Sequence, residues 1–146
     1  MPHRRSLVLF ALASGLLPNA LHAQDRPYTD GPVWSITMVR TTAGMGDDYL
    51  RSLATTYKCI NEEAKKQGLV LSYKIISTDA MGADDWDLLL MEEYKNWAAF
   101  DGLRDKMDPI AKKVVGDEAA NRQLMTKRLD VRRIVGTKSG QELILK

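Results

Sequence analysis

The chain is poor in histidine and cysteine, the two side chains that carry most acid–base and redox chemistry near neutral pH. Its 146 residues include two histidines, His3 and His22, and one cysteine, Cys59. Both histidines lie in a segment that reads as a cleavable signal, so the mature chain would contain none. Without imidazole, the chain's own side chains cannot build a Ser-His-Asp triad, a Cys-His pair or a histidine-ligated zinc or haem site. We therefore expect no metal and no cofactor.

The N-terminal segment has the three parts of a secretory signal. Arg4 and Arg5 supply positive charge, residues 6–17 form an uncharged apolar stretch, and Ala23 is a small residue at a cleavage point. The stretch is shorter than the roughly 20 residues that span a bilayer, which favours cleavage over the alternative of an uncleaved N-terminal anchor. We predict a signal peptide at 1–23, an extended leader at 24–32 and one domain at 33–146, located in the bacterial periplasm or secreted.

The charge balance excludes two classes of partner. The chain has 21 Lys and Arg against 19 Asp and Glu, and removal of Arg4 and Arg5 leaves 21 − 2 = 19 basic residues against 19 acidic ones. A neutral domain has no electrostatic footprint for nucleic acid or for an anionic membrane. Neither is an expected partner after signal cleavage, whereas a low net charge leaves self-association unopposed.

Hydrophobic spacing predicts the order β-α-β-β-α-β with one additional helix before the last strand. We expect strands at 33–40, 69–77, 86–94 and 129–135, with 141–145 extending or pairing with the last one. Helices are expected at 47–67, from 96 to 116 with a kink or restart at Asp108-Pro109, and at 117–128. This order is the split β-α-β arrangement, an α+β fold with a four-stranded antiparallel sheet and helices on one face.

The apolar stripes of the two long helices predict the burial of three side chains. Leu50 belongs to the stripe of the first helix, Cys59 lies beside that stripe, and Trp97 belongs to the stripe of the second. In an oxidising compartment, a cysteine without an internal partner is either buried or paired between chains. The stripe favours burial of Cys59.

The third predicted strand is apolar at four successive positions, Leu88 to Met91. A strand with one face in water would alternate, so this sheet needs cover on both faces. The helices cover one face. A second copy of the same sheet is expected to cover the other, which gives a homodimeric α/β barrel.

These features resemble the dimeric α/β-barrel (ferredoxin-like) superfamily, and the chain is similar to its small secreted bacterial members without an assigned activity. The resemblance is carried by Val33-Trp34-Ser35-Ile36, Thr42-Ala43-Gly44-Met45-Gly46, Trp86-Asp87-Leu88-Leu89-Leu90 and Tyr94-Lys95-Asn96-Trp97. The resemblance implies three kinds of activity: cofactor-free oxygenation, haem chemistry, or a binding or stress role without catalysis. The haem branches depend on a proximal histidine, which the mature chain lacks.

Four side chains are predicted to contact a ligand, namely Thr37, Tyr73, Lys74 and Trp86. Lys74 alternates with Ser72 and Ile76, and an ammonium facing the barrel interior would need a partner or ligand. The alternative is a lysine at the barrel mouth with its charge in water. The aromatic residues, which also include Trp34 and Trp97, either line a pocket or pack in the core.

Three other polar groups have plain structural interpretations. Asp79, Asp84, Asp85 and Asp87 lack the order of a calcium loop and are expected to be solvated. Glu92 and Glu93 are adjacent on a strand, so they should point to opposite faces. Arg128, Arg132 and Arg133 suit a salt bridge between subunits better than an anion site, because the chain has no glycine-rich phosphate loop.

Three functions fit this sequence. The first is a homodimeric, non-catalytic binding or structural module for a small apolar or aromatic molecule. The second is a cofactor-independent monooxygenase-like enzyme for a phenolic or quinol-type substrate, which needs an internal cavity with converging polar groups. The third is an interaction protein whose C-terminal strand, 141–145, pairs with another chain. We favour the first.

Overall fold

The computed structural model describes residues 26–146, and the predicted signal peptide, with His3 and His22, lies outside the described residues. The elements in chain order are β1 Tyr28–Thr41, α1 Gly46–Thr55, α2 Tyr57–Lys66, β2 Ser72–Ser77, β3 Leu88–Tyr94, a 3-10 turn Trp97–Phe100, α3 Leu103–Val115, α4 Glu118–Val131 and β4 Arg132–Leu145.

The four strands form one sheet in the order β2-β3-β1-β4, and every neighbouring pair is antiparallel. This order, with a helical segment after β1 and another after β3, is the ferredoxin-like arrangement. The predicted α+β class and four-stranded antiparallel sheet are therefore confirmed. No helix among residues 26–146 has the length and apolar character needed to cross a bilayer.

The core lies between the sheet and the helices and consists of two apolar clusters. One joins Val39, Leu88 and Leu90 of the sheet to Tyr49 and Leu53 of α1. The other is built from Ala64, Val70, Tyr94 and Ile110. Because Val33, Val39, Leu88, Leu90 and Tyr94 alternate with less buried neighbours, the odd-numbered residues of β1 and the even-numbered residues of β3 face the helices.

The first and last strands of the chain differ from their predicted bounds. β1 begins at Tyr28 rather than Val33, and β4 begins at Arg132 rather than Leu129, because α4 continues to Val131. The two 14-residue strands pair along almost their whole length, from Tyr28 opposite Leu145 to Thr41 opposite Arg132. β1 and β4 therefore satisfy each other's backbone hydrogen bonds. The predicted leader is consequently strand from Tyr28 onward.

The predicted single helix at 47–67 is instead two helices that meet at Thr56. The hydroxyls of Thr55 and Thr56 both donate to the Ser52 carbonyl, at 3.1 and 2.7 Å. Such bonds from threonine to a preceding carbonyl compete with the helical ladder and bend it. The break re-aims α2, which presents Asn61 and Ala64 to the core.

The three burial predictions for the helices were wrong. Cys59 is exposed, because it lies about 200° around the helix from Tyr57, on the far side from Ala64. Leu50 and Trp97 are 40% and 49% exposed. Trp97 lies in a 3-10 turn, and its indole Nε1 donates to Gln141 at 3.1 Å instead of entering the core.

Pro109 lies inside the continuous helix α3, so of the two predicted outcomes, a kink or a restart, the restart is wrong. A proline at this place removes one helical hydrogen bond and crowds the preceding turn. The next residue, Ile110, is 2% exposed and packs in the second core cluster beside Met107. We attribute the continuity to this packing. Asn96 does act as the predicted cap, with its side chain accepting from the Ala99 N–H at 3.2 Å.

Asp87 holds the end of β1 against the start of β3. Its two carboxylate oxygens accept from the Thr41 N–H at 3.0 and 3.1 Å, and one also accepts from the Thr41 hydroxyl at 2.6 Å. The Asp87 N–H donates in turn to the Val39 carbonyl at 2.9 Å. Hydrogen bonds to a charged, partly buried group are the stronger kind, so this carboxylate ties two strands together.

We expect Asp87→Ala to lower the free energy of unfolding by about 2 kcal/mol, because three hydrogen bonds to one carboxylate are lost. The measurement is urea denaturation followed by circular dichroism. The matched control is Asp84→Ala in the same loop, since Asp84 is fully exposed and makes only a 3.6 Å surface ion pair with Arg133. The control should change stability by less than about 0.5 kcal/mol. Equal losses in the two variants would contradict the assignment.

Candidate functional site

A row of polar side chains crosses the helix-facing side of the sheet between the two apolar core clusters. Strand pairing places Glu92 directly opposite both Ser35 and Tyr73, and Ser35 opposite Ser139. Directly opposed residues share a face. We call Tyr73, Glu92, Ser35 and Ser139 the polar row.

Glu92 is the unusual member of the polar row, because a carboxylate sits where the strand otherwise buries Leu88, Leu90 and Tyr94. Burial raises the pKa of Glu92 above its ordinary value, and the hydroxyls of Tyr57 and Ser35 partly oppose that rise. A desolvated carboxyl with hydroxyl neighbours is poised to hold or release a proton closer to neutrality than a surface glutamate.

Tyr57 of α2 covers the polar row from the helix side. Its hydroxyl donates to the Met91 carbonyl at 3.1 Å. Burial, followed by the negative charge of Glu92, raises the Tyr57 pKa far above its usual range. The phenol has a single proton, so it serves either the carbonyl or the Glu92 carboxylate at one time. A protonated Glu92 can instead donate to the phenol oxygen.

Tyr73 extends the polar row to the edge strand β2. Its ring packs edge-on against Tyr57, with centroids 5.7 Å apart, and its hydroxyl donates to Glu62 Oε1 at 2.7 Å. Desolvation, then the hydrogen bond to Glu62, raises the pKa of Tyr73 to about 12. The two phenols thus remain protonated at neutral pH and act as hydrogen-bond donors rather than bases.

The opposite side of the sheet, which we call the open face, has no helix over it in the described part of the chain. Its apolar members are Trp34, Ile36, Met38, Ile76, Leu89 and Met91. The Lys74 ammonium lies 4.2 Å from the centroid of the Trp34 ring. The Trp34 indole donates to Glu142 at 2.9 Å, and Ser72 donates to Glu93.

The structure separates the four residues predicted to contact a ligand. Thr37 and Tyr73 lie on the helix-facing side, where Thr37 pairs with Leu90 one row away from the polar row. Lys74 lies on the open face. Trp86 precedes β3 in the loop after β2, and its N–H donates to Asp85. One small ligand on one side of the sheet therefore reaches at most part of this set.

Glu92 and Tyr57 were missed as candidate site residues. The sequence analysis placed Glu92 and Glu93 on opposite faces, and the pairing confirms this: Glu92 faces the helices and Glu93 the open face. The available signal was a charge at a position that the alternation of β3 assigns to the core. Tyr57 gave no such signal, because a tyrosine in an apolar stripe is ordinary core.

Two carboxylates of the acidic loop accept hydrogen bonds from backbone N–H groups. Asp85 accepts from the N–H groups of Met81 and Trp86 at 2.8 and 2.9 Å, and these bonds hold its pKa below the ordinary value. Asp87 serves Thr41 as described above. Within residues 26–146, no three His, Cys, Asp or Glu side chains converge as metal ligands.

We expect Glu92→Gln to raise the melting temperature by a few degrees at pH 8. The pKa of Glu92 is higher in the folded state, so its ionised form opposes folding above that folded-state pKa. Below the unfolded value of about 4.3 the group is protonated in both states, and the gain should vanish at pH 4. Glutamine keeps an oxygen that accepts from the neighbouring hydroxyls.

The matched control for this comparison is Glu118→Gln, because the Glu118 side chain is exposed on α4, away from the sheet. It should show no pH-dependent gain. Calorimetric scans of the three proteins at pH 4 and pH 8 make the measurement. A Glu92→Gln effect of the same size at both pH values would mean that the carboxylate is not penalised by burial.

Comparisons with known proteins add little to this geometry. No family model matches the chain, and no curated protein matches it. Among solved structures it is similar to a crystal structure of a dimeric ferredoxin-like protein from an uncultured marine organism. The sequences are 11% identical, the match covers 81% of this chain and 90% of that one, and the TM-score is 0.46. The assignment of the ferredoxin-like fold therefore rests on the strand order and pairing given above.

Proposed function

We propose that the protein is an exported homodimer that binds a small apolar or aromatic molecule without transforming it. The observation that carries this proposal is the open face. Six apolar side chains form one continuous patch across three strands, and Ile76 is 43% exposed there. Monomeric proteins rarely leave a patch of this kind in water unless it binds something.

A second copy is the occupant that suits the open face best. A flat sheet face is complementary to another sheet face, and stacked sheets bury their facing side chains at about 10 Å separation. Burial contributes about 25 cal/mol per Å² of apolar area, and a stable interface needs roughly 1,000 Å² or more in total. The neutral charge of the mature chain does not oppose such an association.

The Lys74 charge is compatible with this burial. An ammonium that loses water needs a partner, and Lys74 already lies over the Trp34 ring at 4.2 Å. Cation–π contacts of this kind are worth about 2 kcal/mol or more once desolvated. The Ser72 hydroxyl donates to the carboxylate of Glu93, which lies directly opposite it on the open face. Lys74, Ser72 and Glu93 of the open face are therefore paired within one protomer before a second one arrives.

The ligand site that we propose lies beside Trp34, on the β4 side of the open face. There β4 presents Gly136 and Gly140, and Gly140 is directly opposite Trp34. A side chain added at Gly140 would meet no atom within 4 Å. Two stacked sheets would leave a gap over Gly140, with an aromatic wall from Trp34, whereas the Met38 side chain already lies over Gly136. Such a gap suits an apolar or aromatic molecule.

The dimer is tested with a matched pair of substitutions, Met91→Glu and Met81→Glu. Met91 is central on the open face, whereas Met81 is 92% exposed in the loop after β2. Met91→Glu should yield monomers, because a carboxylate would be buried at the interface. It should still fold, because Lys74 is directly opposite and can pair with it. Met81→Glu should stay dimeric.

Light scattering coupled to size exclusion gives the mass of each variant. Export is tested separately: intact mass spectrometry of the protein expressed with its own N-terminus shows whether the mature chain begins at Gln24. A wild-type protein that elutes as a folded monomer at about 10 µM would refute the dimer. So would a Met91→Glu variant that remains dimeric.

A cofactor-independent oxygenase is the second candidate, and Glu92 is the observation that favours it. A carboxyl with a raised pKa beside the Tyr57 hydroxyl can take the proton of a phenolic substrate. Ionised phenols of the quinol type are the substrates that react with oxygen without a metal. The site would then lie on the helix-facing side of the sheet, next to Tyr73 and Thr37.

One titration separates the two candidates. A naphthohydroquinone is added to the protein while tryptophan fluorescence and dissolved oxygen are recorded together. The binding module predicts saturable quenching that Trp34→Phe removes and that the exposed control Trp97→Phe retains, with oxygen uptake no faster than in buffer. Uptake above the buffer rate that Glu92→Gln abolishes would instead establish the oxygenase.

A further inference from the structure

Four arginines meet where α4 ends and β4 begins. Arg128 and Arg132 are four positions apart and both lie near Tyr49, with the Arg132 guanidinium 5.8 Å from the centroid of that ring. Arg128 donates to the Thr56 hydroxyl. Burial, then the like charge of Arg132, lowers the Arg128 pKa. The Nε atoms of Arg128 and Arg132 are both buried and have no hydrogen-bond partner in the described part of the chain.

Three of the arginines line a cavity of about 320 Å³, which we call the arginine cavity. Its lining consists of Arg40, Thr41, Thr42, Leu129, Arg132 and Arg133. Arg40 and Arg133 are directly opposite each other on β1 and β4. Like charges in such cross-strand positions repel and destabilise the pair. Among residues 26–146, no acidic side chain belongs to the lining.

Three acids of the loop before β3 are largely committed elsewhere. Asp87 serves Thr41, and Asp85 serves two backbone N–H groups, although the Arg40 charge also acts on it. Asp84 pairs with Arg133 at 3.6 Å but is fully exposed. Among residues 26–146, no ion pair includes Arg40 or Arg132. The cavity therefore holds positive charge that the protomer does not neutralise.

We propose that the arginine cavity binds the carboxylate of a small organic acid. Guanidinium groups match a carboxylate geometrically and donate paired hydrogen bonds to it. Arg132, whose buried Nε has no hydrogen-bond partner among residues 26–146, is one of the lining residues. Leu129, which is 70% exposed, gives the cavity one apolar wall. The volume exceeds what a bare inorganic anion needs and lies at the lower end of the range for ligand pockets.

Arg40 and Arg133 lie on the open face at the end away from Trp34, so this site is separate from the gap beside Trp34 but borders the proposed dimer interface. The sequence favours a salt bridge between subunits over an anion site for Arg128, Arg132 and Arg133. The geometry adds Arg40 to Arg132 and Arg133, around a cavity with an apolar wall. A carboxylate from outside the chain relieves the repulsion between Arg40 and Arg133.

The test is calorimetric titration of the mature protein with benzoate and, separately, with inorganic phosphate. We expect benzoate to bind and phosphate to bind more weakly. Arg40→Gln and Arg132→Gln should each weaken benzoate binding about tenfold or more, because each removes a charged hydrogen-bond donor. Arg40→Gln keeps the test decisive if Arg132→Gln, which loses its packing on Tyr49, fails to fold.

The matched control is Arg122→Gln. Arg122 lies on the exposed surface of α4 and is paired with Glu118. Its substitution by glutamine changes the net charge by the same amount as Arg40→Gln or Arg132→Gln. It should bind benzoate like the wild type. An equal loss in this control would show that only net charge matters, and tighter binding of phosphate than of benzoate would overturn the organic-acid assignment. No benzoate binding, with dimer mass lost in Arg40→Gln, would assign these arginines to the subunit interface instead.

Discussion

The alternation of side chains along β1 determines what each side of the sheet can do. As a central strand hydrogen-bonded on both sides, β1 cannot shift by one residue without exchanging its two faces. Its odd-numbered residues support the helices through Val33 and Val39, which are fully buried. Its even-numbered residues, with Trp34 at one end and Arg40 at the other, form the axis of the open face. The core, the polar row and the proposed dimer all depend on this one register.

The polar row is unusual, because the buried positions of a small core are normally apolar. A chain of this size gains more stability from apolar side chains at buried positions than from a carboxylate and its hydroxyl neighbours. Glu92 nonetheless divides the core into two clusters, with Tyr57 closing over it. Conflicts of this kind between local chemistry and packing are concentrated at functional sites. The row therefore stays the place to examine for chemistry, even where binding alone explains the rest of the molecule.

Periodicity was enough to predict the order of strands and helices along the chain and, through the fold that this order implies, the antiparallel sheet. It failed where a long-range contact or a local side-chain bond competes with the pattern. The break at Thr56 comes from threonine hydroxyls that bond to Ser52, and the early start of β1 comes from pairing with residues more than a hundred positions away. Neither has a signature in the local hydrophobic spacing. The exposure of Cys59 could have been read from the helical angle.

The candidate site was less predictable than the fold for a related reason. Tyr73 and Lys74 are neighbours in sequence, yet a strand sends them to opposite sides of the sheet. Glu92, Ser35 and Tyr57 come from three separate elements, and only the strand pairing and the packing of α2 bring them together. The arginine cavity likewise joins the end of β1 to the start of β4, two segments far apart in the chain.

The two ends of the described chain lie side by side, since the Lys146 N–H donates to the Pro27 carbonyl at 3.0 Å. The first strand to be synthesised thus acquires its inner neighbour from the second half of the chain and its outer neighbour from the last residues. Most of the sheet's pairing is between distant parts of the sequence, a topology that delays folding. A nascent protomer consequently stays open until β4 has been synthesised. In the exported chain that we propose, this delay keeps the polypeptide unfolded while it crosses the membrane.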